Sequence, residues 1–198
     1  MTTVHFVHGK ESGPWGTKIR FLAEIAVKQG STVESLDYST PTTPTDRPKR
    51  LVGAGEKNPP LMLVGSSMGG WLMTLAAMKR PNRVRGLIGL AAAPDFTEDL
   101  IWKELPEPTQ NKLMTEGIIY TPSEYSEKGY PITRGLIEDG RKNLVLKHKI
   151  QLNIPLHFIH GTEDRDVPWK YSCKLMEKFD SQNAILSLIK GADHRLST

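Results

Sequence analysis

Short apolar runs alternate with amphipathic helical stretches along this chain. That order predicts an α/β fold with a mostly parallel central sheet and helices on both faces. Two observations carry the prediction. Leu61 to Val64 is apolar at every position, the pattern of a strand buried on both sides of a parallel sheet. The strand-then-helix order also recurs from the N-terminus almost to the end.

Each element has its own signal. Val4 to Val7 is β-branched and aromatic and reads as the first strand. Trp15 to Gln29 follows with Ile19, Leu22, Ile25 and Ala26 at the spacing of one helical face, and Gly30 stops it. Thr32 to Leu36 is the second strand, and Leu61 to Val64 is a third, central one. Gly70 to Lys79 is a helix carrying Leu72, Leu75, Ala76 and Met78. Val84 to Ala91, Leu156 to His160 and Ala184 to Ile189 are further strands, and Pro168 to Phe179 is a helix. The Thr/Pro-rich stretch Thr40 to Pro48 reads as a surface loop.

The rhythm breaks between Pro94 and Ile154, where no strong strand is read. Pro106, Pro108, Pro122 and Pro131 punctuate the segment, and Ile118, Ile119 and Tyr120 form its apolar run. An insertion this long in a compact domain is usually functional. The expectation is one domain over residues 1–198 with a cap or lid of short helices over about 95–153; the alternative is a segment that merely covers the sheet.

Composition narrows the function. The chain has 198 residues and a formal net charge of +4, with both signs interspersed. Its densest basic cluster, Arg47, Lys49 and Arg50, is short and lacks aromatic neighbours, so no nucleic-acid partner is expected. A single cysteine, Cys173, excludes an internal disulfide and permits a reducing compartment. No apolar stretch approaches the roughly 18 residues that span a membrane. The N-terminal "TVHFVHG" reads as a strand without a basic region or cleavage site, so a cytoplasmic protein is expected. There is no dinucleotide or phosphate-binding glycine loop and no metal-ligand spacing, so neither cofactor nor metal is expected.

The chemistry gathers at Gly65-Ser66-Ser67-Met68-Gly69. This is G-x-S-x-G, directly after a buried strand and opening a helix, which is the context that makes the pattern specific. The turn is sharp, and glycines on either side let neighbouring backbone approach without Cβ clashes. Ser67 is the candidate nucleophile; Ser66 has the wrong register. A serine hydroxyl needs a base. His194, in "GADH" past the last strand, supplies one, and Asp164 in "HGTEDRDVPW" supplies the carboxylate that orients it. Asp166 and Glu163 compete for that role, with Asp164 preferred by its offset from His160-Gly161. The backbone N–H of Met68 and that of Lys10, turned inward by Gly9, are the candidate oxyanion donors. His5 and His157 read as packed and His148 as a surface residue. His8 and His160 read as loop braces.

These residues make the chain resemble the α/β-hydrolase superfamily. More narrowly, it resembles the acyl-protein thioesterase and acyl-glucuronide esterase group and its small bacterial relatives. The resemblance rests on "GSSMGGWL", "EGIIYTPSEYSEKG", "HGTEDRDVPW" and "GADHRL" and covers most of the chain. It implies the α/β-hydrolase fold, the triad Ser67, Asp164 and His194, the oxyanion donors Lys10 and Met68, and a helical cap over an acyl pocket. Ile118, Ile119 and Tyr120, with Trp71 and Trp102 as neighbours, are expected to line that pocket. The loop after Asp37-Tyr38 departs from the family pattern by lacking a glycine-rich continuation. The family also continues into a final helix, whereas this sequence stops at Thr198; an uncovered sheet face would favour dimerisation. The expected activity is hydrolysis of carboxylic esters or thioesters on a small-molecule or acyl-protein substrate, by a monomer or homodimer. A lipase- or peptidase-like hydrolase and a non-catalytic binding protein on the same fold are the alternatives.

Overall fold

The computed structural model describes residues 2–10, 12–35, 37, 60–122 and 129–196. The expected surface loop at Thr40 to Pro48 and the basic cluster lie outside the described residues.

Six strands form one sheet: β1 (Thr3–Val7), β2 (Thr32–Ser35), β3 (Leu61–Ser66), β4 (Val84–Leu90), β7 (Leu156–Gly161) and β8 (Ala184–Ile189). Their order is β2-β1-β3-β4-β7-β8, and every pair is parallel. β3 is therefore flanked on both sides, as its unbroken apolar run requires. Neighbouring strand residues point to opposite faces. Leu63 and Val7 enter one core with Leu72, Leu75 and Leu175 from α2 (Met68–Lys79) and α5 (Lys170–Lys178). Phe6 and Val64 enter another with Ile19 and Ala23 from α1 (Thr17–Lys28). α2 is buried from Met68 to Ala77 and has no polar side, as befits a helix between sheet and insertion.

One boundary and one face differ from expectation. α2 begins at Met68, because Gly69 and Gly70 belong inside the helix. α1 buries Ile19 and Ala23 and leaves Ile25 44% exposed. The buried set follows the i, i+4 row through Ile19 and Ala23, and Ile25 lies off that row. Among the described residues, no helix is long and apolar enough to cross a membrane.

The segment after β4 contains helices and also two strands that the sequence reading did not anticipate. A π-turn at Thr97–Ile101 and a 3-10 turn at Trp102–Glu104 lead into α3 (Glu107–Glu116). An antiparallel pair follows, β5 (Ile118–Thr121) with β6 (Tyr130–Thr133), and then α4 (Arg134–Arg141). Pro131 obscured the second strand; in a two-stranded ribbon a proline is tolerated because each strand has a free edge. Leu113, Ile119, Ile132 and Ile137 make a small core that belongs to this segment alone.

Phe96, Val145, Ile150 and Leu152 anchor the segment in the main core, and hydrogen bonds brace it. Both carboxylate oxygens of buried Asp95 accept backbone N–H groups, from Val145 at 2.8 Å and Leu146 at 2.9 Å. This joins the start of the segment to the stretch after α4. Burial pushes the Asp95 carboxyl above its ordinary pKa, against the two N–H bonds that favour the charged form. Trp71 Nε1 donates to Asn143 O at 3.0 Å, and Arg141 pairs with Glu98 at 2.7 Å.

Candidate active site

Ser67 sits between β3 and α2 with φ 54° and ψ −122°, a conformation that a residue with a side chain rarely adopts. The backbone is clamped there. Ser67 N donates to Leu90 O at 2.9 Å, and Ser67 O accepts from Gly70 N at 2.9 Å and Ala93 N at 3.0 Å. The turn exists because the chain packs backbone on backbone. A Cβ on Gly65 would enter the Gly69 carbonyl, and one on Gly69 would enter the Val7 and His8 carbonyls. The adjacent Ser66 faces elsewhere and accepts Lys18 Nζ at 3.2 Å. Burial lowers the pKa of that lysine, opposed by the charges of Asp193 and Asp164.

His194 Nε2 lies 3.0 Å from Ser67 Oγ, and His194 Nδ1 lies 2.8 Å from Asp164 Oδ2. Since a carboxylate only accepts, Nδ1 carries the hydrogen and Nε2 accepts the Ser67 hydroxyl. Residues far apart in sequence meet here because β3, β7 and β8 end at the same edge of a parallel sheet. A Cβ on Gly161 would collide with Ala192 O, so a glycine lets the two strand-end loops touch.

Asp164 is held by four hydrogen bonds. Oδ1 accepts Asp166 N at 3.0 Å and Val167 N at 2.8 Å; Oδ2 accepts His194 Nδ1 and, at 3.0 Å, His160 Nε2. Burial raises the carboxyl pKa, but the bonds from His160, His194 and Val167 and the charge of His194 outweigh it and hold the group well below the usual carboxylate range. Glu163 and Asp166, the competing carboxylates, are exposed, and neither side chain bonds His194 in this arrangement. Asp164, Asp166 and His194 are the trio among the described residues whose possible metal-ligand atoms lie within 4.8 Å of one another. The Asp164 oxygens a cation would take are already filled by N–H donors.

The loop after β1 passes directly beside Ser67. A Cβ on Gly9 would stand 3.3 Å from Ser67 Cβ. Gly9 O accepts from His8 Nδ1 at 2.8 Å and Ser12 Oγ at 3.1 Å. In a planar trans peptide the next N–H, that of Lys10, points the opposite way. The Lys10 side chain reaches the β5–β6 hairpin, where Nζ donates to Pro131 O at 3.0 Å and lies 3.3 Å from the centre of the Tyr130 ring.

The expected pocket residues fall in different surroundings. Trp71 is fully buried in the main core, edge-on to Phe96 at 5.7 Å. Ile119 is buried in the insertion's own core. In this arrangement both side chains pack within these cores. Trp102 packs against that small core beneath the Arg141 guanidinium, 4.4 Å from its ring centre. Ile118 and Tyr120 point from the opposite face of β5 and are 39% and 62% exposed. A residue the sequence reading passed over is His160, taken only as a loop brace. Its signal was its place four residues before Asp164 at a strand end.

No protein-family model matches the chain. It is 32% identical over 203 residues to the human mitochondrial palmitoyl-protein thioesterase ABHD10; the match takes in 96% of this chain and 66% of that one. The chain thus spans 66% of the length of that curated relative. A crystal structure from Agrobacterium vitis S4, which carries a provisional hydrolase name, superposes with a TM-score of 0.91 at 31% identity. It covers 100% of this chain and 82% of its own. The chain belongs to the α/β-hydrolase family. Within it, the chain is similar to mouse α/β-hydrolase domain-containing protein 10, with a TM-score of 0.86 and 29% identity over 99% of this chain and 83% of that one.

Proposed function

We propose that the protein is a serine hydrolase of carboxylic esters and thioesters, with Ser67 as nucleophile, His194 as base and Asp164 as the acid that orients it. The observation that carries this is the unbroken run of hydrogen bonds from Asp164 Oδ2 through the His194 ring to Ser67 Oγ, on an elbow held in a strained conformation. Ser67 Oγ attacks the acyl carbonyl as its proton passes to His194 Nε2. The imidazolium that forms is held by the Asp164 carboxylate. The oxyanion is met by the N–H of Met68, at the positive end of α2, and by that of Lys10. Collapse expels the alcohol or thiol, and water attacks the acyl-enzyme with His194 again as base.

The relatives named above support the thioester as the preferred substrate. A thiolate leaves without much help from an acid, so the relay has little to supply at that step. In this reading the insertion is a cap, and Ile118 and Tyr120 are its acyl-facing residues. The lone cysteine supports a reducing compartment. The cytoplasm was the expected one, and the mammalian relative carries a mitochondrial name.

A fluorophosphonate probe tests the reading. It should label wild type at Ser67, and Ser67→Ala should remain folded, unlabelled and slower by about 10⁴-fold or more on acyl thioesters. A wild type that hydrolyses neither esters nor thioesters and takes no label would instead be a binding protein on this fold.

A further inference from the structure

One buried ionisable side chain at the site has no part in the mechanism above. His160 is the penultimate residue of β7, is 0% exposed, and lies between α5 and the Asp164 loop. Its Nε2 lies 2.8 Å from Val167 O and 3.0 Å from Asp164 Oδ2. A carbonyl and a carboxylate only accept, so Nε2 carries the hydrogen and divides it between them. Nδ1 lies 2.7 Å from Ser172 Oγ, in the first turn of α5, and in the Nε2–H tautomer it accepts that hydroxyl's hydrogen. Both ring nitrogens therefore have partners, and the ring has one orientation.

We propose that His160 is the positioning residue of the acid: it locks the Asp164 carboxylate in the rotation that presents Oδ2 to His194, and Ser172 locks His160. The inference rests on the hydrolase reading given above. The two oxygens turn together, and the backbone N–H groups of Asp166 and Val167 hold them through Oδ1 alone. His160 and His194 both donate to Oδ2, so the carboxylate is fixed at both ends. The other charged groups near this carboxylate are Lys18 on α1, Asp166 on its own loop and Asp193 beside His194. None of them bonds Oδ2 in the structure. The relay then runs from α5 to the nucleophile: Ser172, His160, Asp164, His194, Ser67.

The test uses His160→Leu, His160→Gln and Ser172→Ala in the full chain, with ¹⁵N-histidine NMR as a readout independent of turnover. In wild type the His160 ring should carry a hydrogen on Nε2 that is bonded to Asp164. His160→Leu should lower kcat on an acyl thioester about 10- to 100-fold, as losing one buried bond to a charged group implies, with KM little changed. His160→Gln, whose amide N–H reaches the same place, should recover most of that loss. If His160→Leu does not fold, Ser172→Ala carries the test, because it should free the tautomer and cut kcat several-fold. The proposal is overturned if His160 is the Nδ1–H tautomer, or if a folded His160→Leu keeps wild-type kcat. It is also overturned if the Gln variant is no better than Leu. Failure of the hydrolase reading looks different: wild type itself would take no fluorophosphonate at Ser67, while the tautomer measurement would still decide the geometry.

Discussion

The strand-end loops that carry Ser67, Asp164 and His194 are held differently from the insertion after β4. The loops are gripped by backbone. Ser67 is bonded through its own N and O to Leu90, Gly70 and Ala93, and Gly69 and Gly161 let neighbouring main chains approach too closely for a Cβ. The insertion keeps a small core of its own and meets the rest through Phe96, Val145, Ile150 and Leu152 in the main core, through the bonds from Trp71 to Asn143 O and Lys10 to Pro131 O, and through the backbone of Ile150. Backbone contacts have no rotamers to lose, so the first region is held to one geometry, as in-line proton transfer needs. Side-chain ties can be remade as the substrate changes. Under the proposed function the first region would carry the chemistry and the insertion the choice of substrate.

The sharpest break in the rigid region is Asp164→Asn. It removes the acceptor that keeps His194 in its Nδ1–H form, and kcat should fall about 10⁴-fold. Asp166→Asn should cost only a few-fold, because Asp166 serves Asp164 through its backbone N–H. Steady-state kinetics on the two variants decides; the reverse ranking would transfer the acid role to Asp166.

The insertion should break in a different way. Ile119→Asp puts a charge into the small core beside Ile132 and Leu113 and should unfold the insertion, lowering the melting temperature and activity together. Tyr120→Asp, one residue on and exposed, should leave the melting temperature unchanged and flatten the dependence of kcat/KM on acyl length. A substrate series from acetyl to palmitoyl thioesters reads this. If Tyr120→Asp leaves the length profile intact, the insertion is cover and has no acyl-facing role.

Gly69→Ala tests the backbone grip itself. Its new methyl group must displace the Val7 and His8 carbonyls, which cannot rotate away, and it should cost roughly 3 kcal/mol in denaturant unfolding. An unchanged midpoint would show that the close approach is not needed.

The smallest effect is on acid stability. The Asp164 carboxyl has a lower pKa folded than unfolded, where it sits near the ordinary value of about 3.9. Its contribution is therefore complete above about pH 4 and is lost as pH falls from there toward the folded value. Urea midpoints below pH 4 should drop more steeply for wild type than for Asp164→Asn, and parallel slopes would contradict the shift.

The contrast between the two regions also explains what was readable beforehand. Strand runs such as Leu61 to Val64, the glycine spacing around Ser67 and the strand-end positions of Asp164 and His194 are local. Each depends on a few consecutive residues and on the rule that parallel strands end at one edge, so the sequence by itself determined the sheet and the three side chains that meet there. It did not determine the insertion. Ile118, Ile119 and Tyr120 read alike in a row, and only the pairing of Ile119 with Ile132 turned one inward and left its neighbours outside. Trp71 lies on the helix that follows Ser67, and only packing against the sheet and Phe96 shows that its ring is buried. His160 looked like a brace because its partners, Asp164, Val167 and Ser172, come together only when β7, the loop after it and α5 close around one ring. Local pattern sets which backbone a segment adopts; which side of it is buried, and which buried group a ring must bond, depends on what the rest of the chain packs against it.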